Sequence, residues 1–544
     1  LEWRRKRKMK KILILKESII TEQEKITLNN TGSLAISGEN SQGIILQSIG
    51  GGGGKISNYG FDSAEVTFGG TANSSGDGGI IDLTNTGDIT QSSEGSYGII
   101  AQSIGGGGGI VFTDLTMDNI QLKTPSALPS GSGSKVKIIQ DGNININGNN
   151  SFGILAQSIG GGGGSINPKG SFGGIGNSND VEITLNSNIN AQNAVNTIGV
   201  YAQSDASSNQ QEGNISVTLN SGNHIHVSNT STAIQLSDGL NNTVNINGEI
   251  KALTSYPINI SKVDRCLPKL WICNAFDGKP DGYVLKASSG NETVINTSDM
   301  YGNIDLGTGK GTFNNASTGT LISGQKLVMG STNDSEFTNN GLISPGGTYI
   351  YKTEIGGSFI HNENANLDID LDFNTERENR ADSVDVLIVS NTAKLNGDVN
   401  LLTRSIPLIK PGIREIPFVT TSNGVIEENL TLNVPSSAIA RYGIITDPSN
   451  NPQSSTLRSN QSNNTSLFLN VNFEGFGDLN KNQVSIGNYF NRVQNFRPTQ
   501  ALAQFITSIF NLPNSSGLKS AYDSISPEVF SANTRSIYDK SSRF

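Results

Sequence analysis

Three five-glycine tracts, each led by Gln-Ser-Ile, are the first places where residue type and spacing suggest chemistry. Residues 43–54 read GIILQSIGGGGG, residues 98–109 GIIAQSIGGGGG and residues 153–164 GILAQSIGGGGG. Glycine-rich backbone can cradle phosphate, and the first tract runs into Lys55. A phosphate-binding loop needs a glycine five residues before its Gly-Lys pair and a hydroxyl residue after it, but Ile49 and Ile56 stand there. The tracts are therefore expected to be flexible loops leaving the end of a strand. Gln47, Gln102 and Gln157 are spaced by 55 and 55 residues. They are expected to form a side-chain ladder at a strand end, with a binding face as the alternative.

His224 and His226 fall on one side of a strand and could both ligate a metal. No third ligand is close in sequence and the one other histidine is His361, so no metal site is expected. Asp368, Asp370 and Asp372 alternate along LDIDLDF, a pattern that could offer calcium three carboxylates. They are expected instead to form a solvated face opposite Leu367, Ile369, Leu371 and Phe373. Neither a G-x-S-x-G elbow nor an HExxH helix is present, and three histidines leave little for a Ser-His-Asp triad. No catalytic residue and no cofactor are assigned. Cys266 and Cys273 could be bridged, closing about eight residues for roughly 2.5 kcal/mol. A bridge fits an oxidising compartment, and two free thiols are the alternative.

The elements that would position these residues follow from composition and period. Of 544 residues, 65 are Asn and 64 Gly, and only 16% are charged. Asn, Ser, Thr and Gly can stack on copies of themselves without repulsion. Collagen is excluded, because no glycine recurs every third residue. Residues 1–16 carry +7 of a net charge of -9, so the remainder carries -16. An acidic body with no basic stripe argues against nucleic acid or anionic lipid as a partner. No stretch approaches the roughly 18 apolar residues of a membrane helix.

Between the glycine tracts lie runs such as KVKII, NININ, VEITL, ISVTL and HIHV, many alternating apolar with polar. That is the period of a strand with one buried face. A decayed copy of the motif is GVYAQS at 199–204, and AIQLS at 233–237 is a candidate fifth. Three short strands and three turns make a coil of some 20–25 residues, and stacking such coils gives a right-handed parallel β-helix. One coil alone cannot fold, because about five inward side chains at roughly 2 kcal/mol each do not offset the ordering of 20-odd residues. Residues 21–425 should hold about 15 coils. From Leu479 the apolar spacing becomes helical.

The repeats resemble the passenger domains of bacterial autotransporters, type V secreted proteins built from a signal peptide, a β-helical passenger and a carboxy-terminal outer-membrane barrel. Two further stretches are similar to that family. GLISPGGTYIYKTEIGGSFIHNENANLDIDLDF at 341–373 with DVLIVSNTAKLNGDV at 385–399 resembles the last passenger coils, which there act as an intramolecular folding nucleus. LNKNQVSIGNYF at 479–490 with YDSISPEVFSANTRSIYDKSSRF at 522–544 resembles the helical linker before the barrel. The first repeat departs from the signature with Leu46 in place of Ala.

The resulting expectation is an all-β parallel β-helix followed by a short α-helical linker. Residues 1–20 form a basic leader that is not a complete signal peptide, and 21–256 the repeat-bearing solenoid. Residues 257–282 form a Cys-containing loop insertion, and 283–425 continue the solenoid with autochaperone-like coils at 341–425. Residues 426–478 make a β cap and polar loop, and 479–544 the linker. The resemblance implies a non-enzymatic adhesion protein on the surface of a Gram-negative-type bacterium. Its partners would be a barrel translocator encoded nearby and a surface or host ligand, with self-association possible in principle. A β-helical polysaccharide lyase or hydrolase, and an orphan passenger separated from its barrel, are the alternatives.

Overall fold

The computed structural model describes residues 12–16, 25–51, 53–58, 63–67, 75–113, 119–123, 130–162, 164–166, 175–206, 209–254, 278–374, 383–446, 462–496, 498 and 500–526. Cys266 and Cys273 lie outside them, as do 257–277 of the expected loop insertion and 527–544 of the linker. The chain divides into two compact units, Leu1–Gly341 and Leu342–Phe544.

The N-terminal unit is a parallel β-helix with three strand columns, here faces A, B and C. Face A begins with Lys25–Asn30, Ile80–Asn85 and Val136–Gln140, and ends with Gly311–Asn315 and Glu336–Asn339. Its levels pair in parallel register, so that Leu28, Leu83, Ile138, Ile183 and Val217 form one inward column. Face B stacks Leu34–Ile36, Ile89–Gln91, Ile144–Ile146, Ile189–Ala191, His224–Ser228 and Glu249–Leu253. Face C stacks Gln42–Ile49, Tyr97–Ile104, Phe152–Ile159, Ile198–Asp205 and Thr232–Asp238. The inward β-branched and Leu columns are almost fully buried, as the alternation requires. Ile12–Lys16, inside the expected leader, is a strand in register with Ile44–Ser48 at the start of face C.

Coil length differs from the expectation for a physical reason. The three strands of the first coil occupy residues 25–49, but the next level of face A starts only at Ile80. The residues between form an excursion outside the stack. Gly53–Asn58, Gly108–Thr113 and Gly164–Ile166 pair into a second parallel sheet, and Ala64–Thr67 pairs with Ile120–Lys123. Each 55-residue repeat is thus one coil plus its excursion, and the count of about 15 coils is too high. Where no excursion intervenes, as from Phe313 to Phe337, the shorter coil holds.

The excursions explain why face C is buried on both sides. Ile110 and Phe112 cover Ile45, Ile100, Leu155 and Tyr201, which point away from the solenoid interior. Tyr97 and Phe152 stack at 4.9 Å, and Phe112 meets Tyr97 edge-on at 4.9 Å. Such ring pairs add about 0.5–1.5 kcal/mol beyond their burial.

In the C-terminal unit, Lys352–Gly356, Ser358–His361 and Asn366–Asp372 pair in parallel with Val386–Val389 and Ala393–Arg404. The long strand Gly412–Asn433 continues these columns and runs through the boundary expected at 425. Direction then reverses: Ser462–Val471 pairs antiparallel with Gly412–Asn433 and with Ala440–Thr446. Beyond it come helices α1 (Lys481–Phe496), α2 (Ala503–Phe510) and α3 (Ser515–Ser524). Phe490 meets Phe505 at 4.9 Å and Tyr522 at 6.1 Å, and the Tyr522 hydroxyl donates to the Phe473 carbonyl at 2.5 Å. The helices are thus tied to the end of the antiparallel sheet. No described helix is long and apolar enough to cross a membrane.

Candidate functional site

The repeated motif assembles into one device on face C. Gln47 Nε2 donates to Gln102 Oε1 at 2.6 Å, Gln102 to Gln157 at 2.5 Å and Gln157 to Gln203 at 2.6 Å. Gln203 ends the run by donating to Asp238 Oδ2 at 3.2 Å. Each glutamine follows an outward Ile, Leu or Tyr by two residues and so shares its face beneath the excursions. The ladder amides are buried, which removes them from any exposed binding role. The candidate fifth copy is offset. Tyr201 pairs with Gln235 and Gln203 with Ser237, so Gln235 stands off the ladder and Asp238 supplies its last acceptor.

The serines after the glutamines close the coils. Ser48 Oγ accepts from Gly79 N at 2.7 Å, and Ser103 Oγ accepts from Ser134 N at 2.8 Å while donating to Gly79 O at 2.9 Å. Ser158 Oγ accepts from Asn179 N at 2.9 Å. Each hydroxyl therefore fixes the returning chain where the next face A strand begins.

The glycine tracts are not flexible loops. The outgoing chain crosses the returning one at backbone contact: Gly106 N donates to Gly76 O at 2.8 Å, and Gly161 N to Gly131 O at 2.8 Å. A Cβ on Gly50 would lie 2.0 Å from Gly76 O, and one on Gly105 2.2 Å from Gly131 C. Only glycine allows two backbones this close. Where described, the tract is a backbone junction: the amides of Gly50, Gly105, Gly106, Gly161 and Gly162 all donate to carbonyls of neighbouring backbone.

His224 and His226 stack at 4.0 Å on the outer side of face B. His224 Nε2 lies 2.8 Å from Asn190 Oδ1, His226 Nε2 2.5 Å from Glu249 Oε1, and Lys251 Nζ 2.8 Å from Glu249 Oε2. Lys251 in turn sits 4.6 Å from the Tyr301 ring centroid. The hydrogen bond from His226 holds the Glu249 carboxyl down at about 2 despite its partial burial. No group of three metal-ligating side chains occurs among the described residues. The chain of bonds is instead a charged rung across neighbouring coils, with each acceptor already engaged.

The LDIDLDF carboxylates do not form a solvated face. Asp370 is buried and ion-paired with Arg404, and Asn400 Nδ2 donates to Asp368 Oδ1 at 2.8 Å. Asp385, fully buried, accepts from Tyr351 N at 2.7 Å and from Asp370 N at 2.8 Å. Burial pushes both carboxyls up; Arg404 opposes this at Asp370, where the Asp368 and Asp372 charges add to it, and the Asp370 charge adds to it at Asp385. Asp385 and Arg404 were invisible to pattern reading, because 15 and 34 residues separate them from Asp370 and only strand register joins them. His361 is a buried core residue whose imidazole burial pulls down to about 4.

One further group escaped the sequence. Glu292 occupies the inward face A column that holds Ile26, Ile81, Val136, Val181 and Ile215 in earlier coils. Its neighbours there are Asn242, whose Nδ2 donates at 3.1 Å, and Gly311, which offers no side chain. Glu292 Oε2 has no hydrogen-bond partner. Burial pushes the carboxyl up to about 8 from 4.5, so the folded state keeps a proton that the unfolded chain releases. Stability should fall as pH rises from about 4.5 to about 8. Glu292→Gln is expected to stabilise the N-terminal unit by about 3 kcal/mol at pH 7 and by nothing at pH 4. Urea titrations of both proteins across that range check this, and parallel curves would refute it.

No family model and no curated protein sequence matches this chain.

Proposed function

We propose that this chain is the passenger-like part of an autotransporter, a non-catalytic protein displayed at the bacterial surface for adhesion. The observation that carries the reading is the placement of the three G-I-x-A-Q-S-I-G-G-G-G-G-type copies. They lie at equivalent rungs of one parallel β-helix, where each Gln hydrogen-bonds to the Gln of the next level. An extended stack offers many weak lateral contacts whose combined strength exceeds each one. The lyase or hydrolase alternative calls for carboxylates and arginines gathered in a lateral groove. Asp370, Asp385 and Arg404 come together, but both carboxyls are sealed from solvent, beyond reach of a polymer.

The test places the chain between a signal peptide and an outer-membrane barrel in a Gram-negative host. Antibody labelling on intact cells, and adherence above that of cells carrying the barrel alone, are the expected results. Efficient labelling without any gain in adherence or cell settling would refute the adhesive role.

A further inference from the structure

Two buried carboxyls and one cation meet in the C-terminal unit, and their charges do not balance. Asp370 is 2% exposed and Asp385 is fully buried. Tyr351 N donates to Asp385 Oδ1 at 2.7 Å and Asp370 N to Asp385 Oδ2 at 2.8 Å, while Asp385 N returns a bond to Asp370 O at 3.0 Å. Arg404 pairs with Asp370 Oδ2 and donates to the Thr348 carbonyl. The cluster thereby ties together the stretch Thr348 to Tyr351, the strand Asn366–Asp372, the residue before Val386–Val389 and the end of Ala393–Arg404. Asp370 Oδ1 is left without a hydrogen-bond partner.

The packed elements supply no second cation among the described residues. On its own strand the pair meets Asp368, which is bonded by Asn400, and Asp372, which lies level with Arg404. Lys352 and Glu354 on the strand Lys352–Gly356 are exposed. Lys394 and Asp398 lie toward the opposite end of Ala393–Arg404, with Asp398 level with Asn366. Leu342–Pro345, Val386–Val389 and the turn Ile406–Leu408 carry no charged residue, and neither does α2, whose Phe510 meets Phe373. Two carboxylates against one guanidinium would leave a negative charge uncompensated away from water, which burial strongly disfavours.

We propose that this cluster is a proton-dependent clamp: the Asp370 and Asp385 pair holds one proton at neutral pH, and losing it opens the clamp. With one proton, a single carboxylate faces a single guanidinium and the closed cluster is neutral. Burial raises both carboxyls. The Asp370 charge carries Asp385 well above the ordinary carboxyl range, whereas Arg404 limits Asp370 to about 6. The proton of the pair therefore sits on Asp385 at neutrality. An opened, solvated pair holds no proton at that pH, so opening releases one and rising pH favours the open form. The three backbone bonds made by Tyr351, Asp370 and Asp385 are the ones that opening breaks. The clamp is a property of the C-terminal unit and stands apart from the adhesion reading.

Hydrogen exchange on the purified full-length chain reads the opening at the amides of Tyr351, Asp370 and Asp385, once the intrinsic pH dependence of exchange is divided out. Between about pH 7 and pH 8 the opening constant of the parent should rise about tenfold, the change expected for one released proton. Asp370→Asn leaves one carboxylate for one guanidinium, needs no proton, and should make the constant independent of pH. Arg404→Gln removes the cation, so both carboxyls keep protons, and its constant should rise more steeply, toward about a hundredfold over the same interval. The two variants move the slope in opposite directions, so either one that folds decides the matter. A flat parent, or a variant with the parent's slope, overturns the proposal.

Discussion

Gln157→Leu is expected to lower the stability of the N-terminal unit by about 3–5 kcal/mol, although it replaces a polar core residue by an apolar one of similar size. Gln157 sits mid-ladder, accepting from Gln102 and donating to Gln203. Its loss strands a buried donor on one side and a buried acceptor on the other, at about 1–3 kcal/mol each. The wider consequence is non-additivity. Converting Gln47, Gln102, Gln157 and Gln203 together to Leu removes donors and acceptors in matched pairs, leaving Asp238 as the main loss, and should cost less than four single changes summed. Urea unfolding of the single and quadruple variants, followed by circular dichroism, measures both. Additive losses would mean that the amides do not act as one ladder.

Gly105→Ala is expected to be at least as damaging, at about 3 kcal/mol or more. The added methyl would meet the Gly131 backbone at 2.2 Å, and backbone cannot rotate aside as a side chain can. Gly32→Ala is the matched control, because the nearest atom to its new methyl is Asn30 Oδ1 at 3.8 Å. Its effect should stay within about 0.5 kcal/mol of zero. Thermal melts of the two variants decide the matter. A Gly105→Ala protein that melts with the parent would show that the crossing opens freely, as the flexible-loop reading of the tracts expects.

These two sites also mark how far the sequence could be read. The alternation in VEITL and ISVTL and the 55-residue spacing of Gln47, Gln102 and Gln157 made a stacked parallel fold legible, because period and repeat are local properties. The glycine tracts were misread because flexibility and close approach call for the same residue, and only the position of Gly76 and Gly131 separates them. The offset of Gln235 and the inward seat of Glu292 depend on which residue lies one coil above, and loops of unequal length hide that. Asp370 shows the same limit from the other side. Its alternation is a local pattern, but its partners Asp385, just before the strand Val386–Val389, and Arg404 come from later parts of the chain.

Glu292, Asp370 and Asp385 share a physical signature, carboxyls pushed up by burial in a stack that otherwise avoids charge. Each weakens the fold as pH rises through the interval between its unfolded and folded values. His361 acts in the opposite sense, since its folded value near 4 means stability is lost as pH falls below about 6.5. The solenoid is therefore expected to be most stable in mildly acidic solution.

The central proposal, an adhesive passenger displayed outside the cell, is tested most directly on the native protein in its own cells. Intact cells would be treated briefly with a protease that cannot cross the outer membrane, and the released peptides identified by mass spectrometry. The account predicts peptides from residues 25–341 in the supernatant while cytoplasmic marker proteins stay intact. Detection of the chain only in the lysed, cytoplasmic fraction, with none released from intact cells, would contradict it.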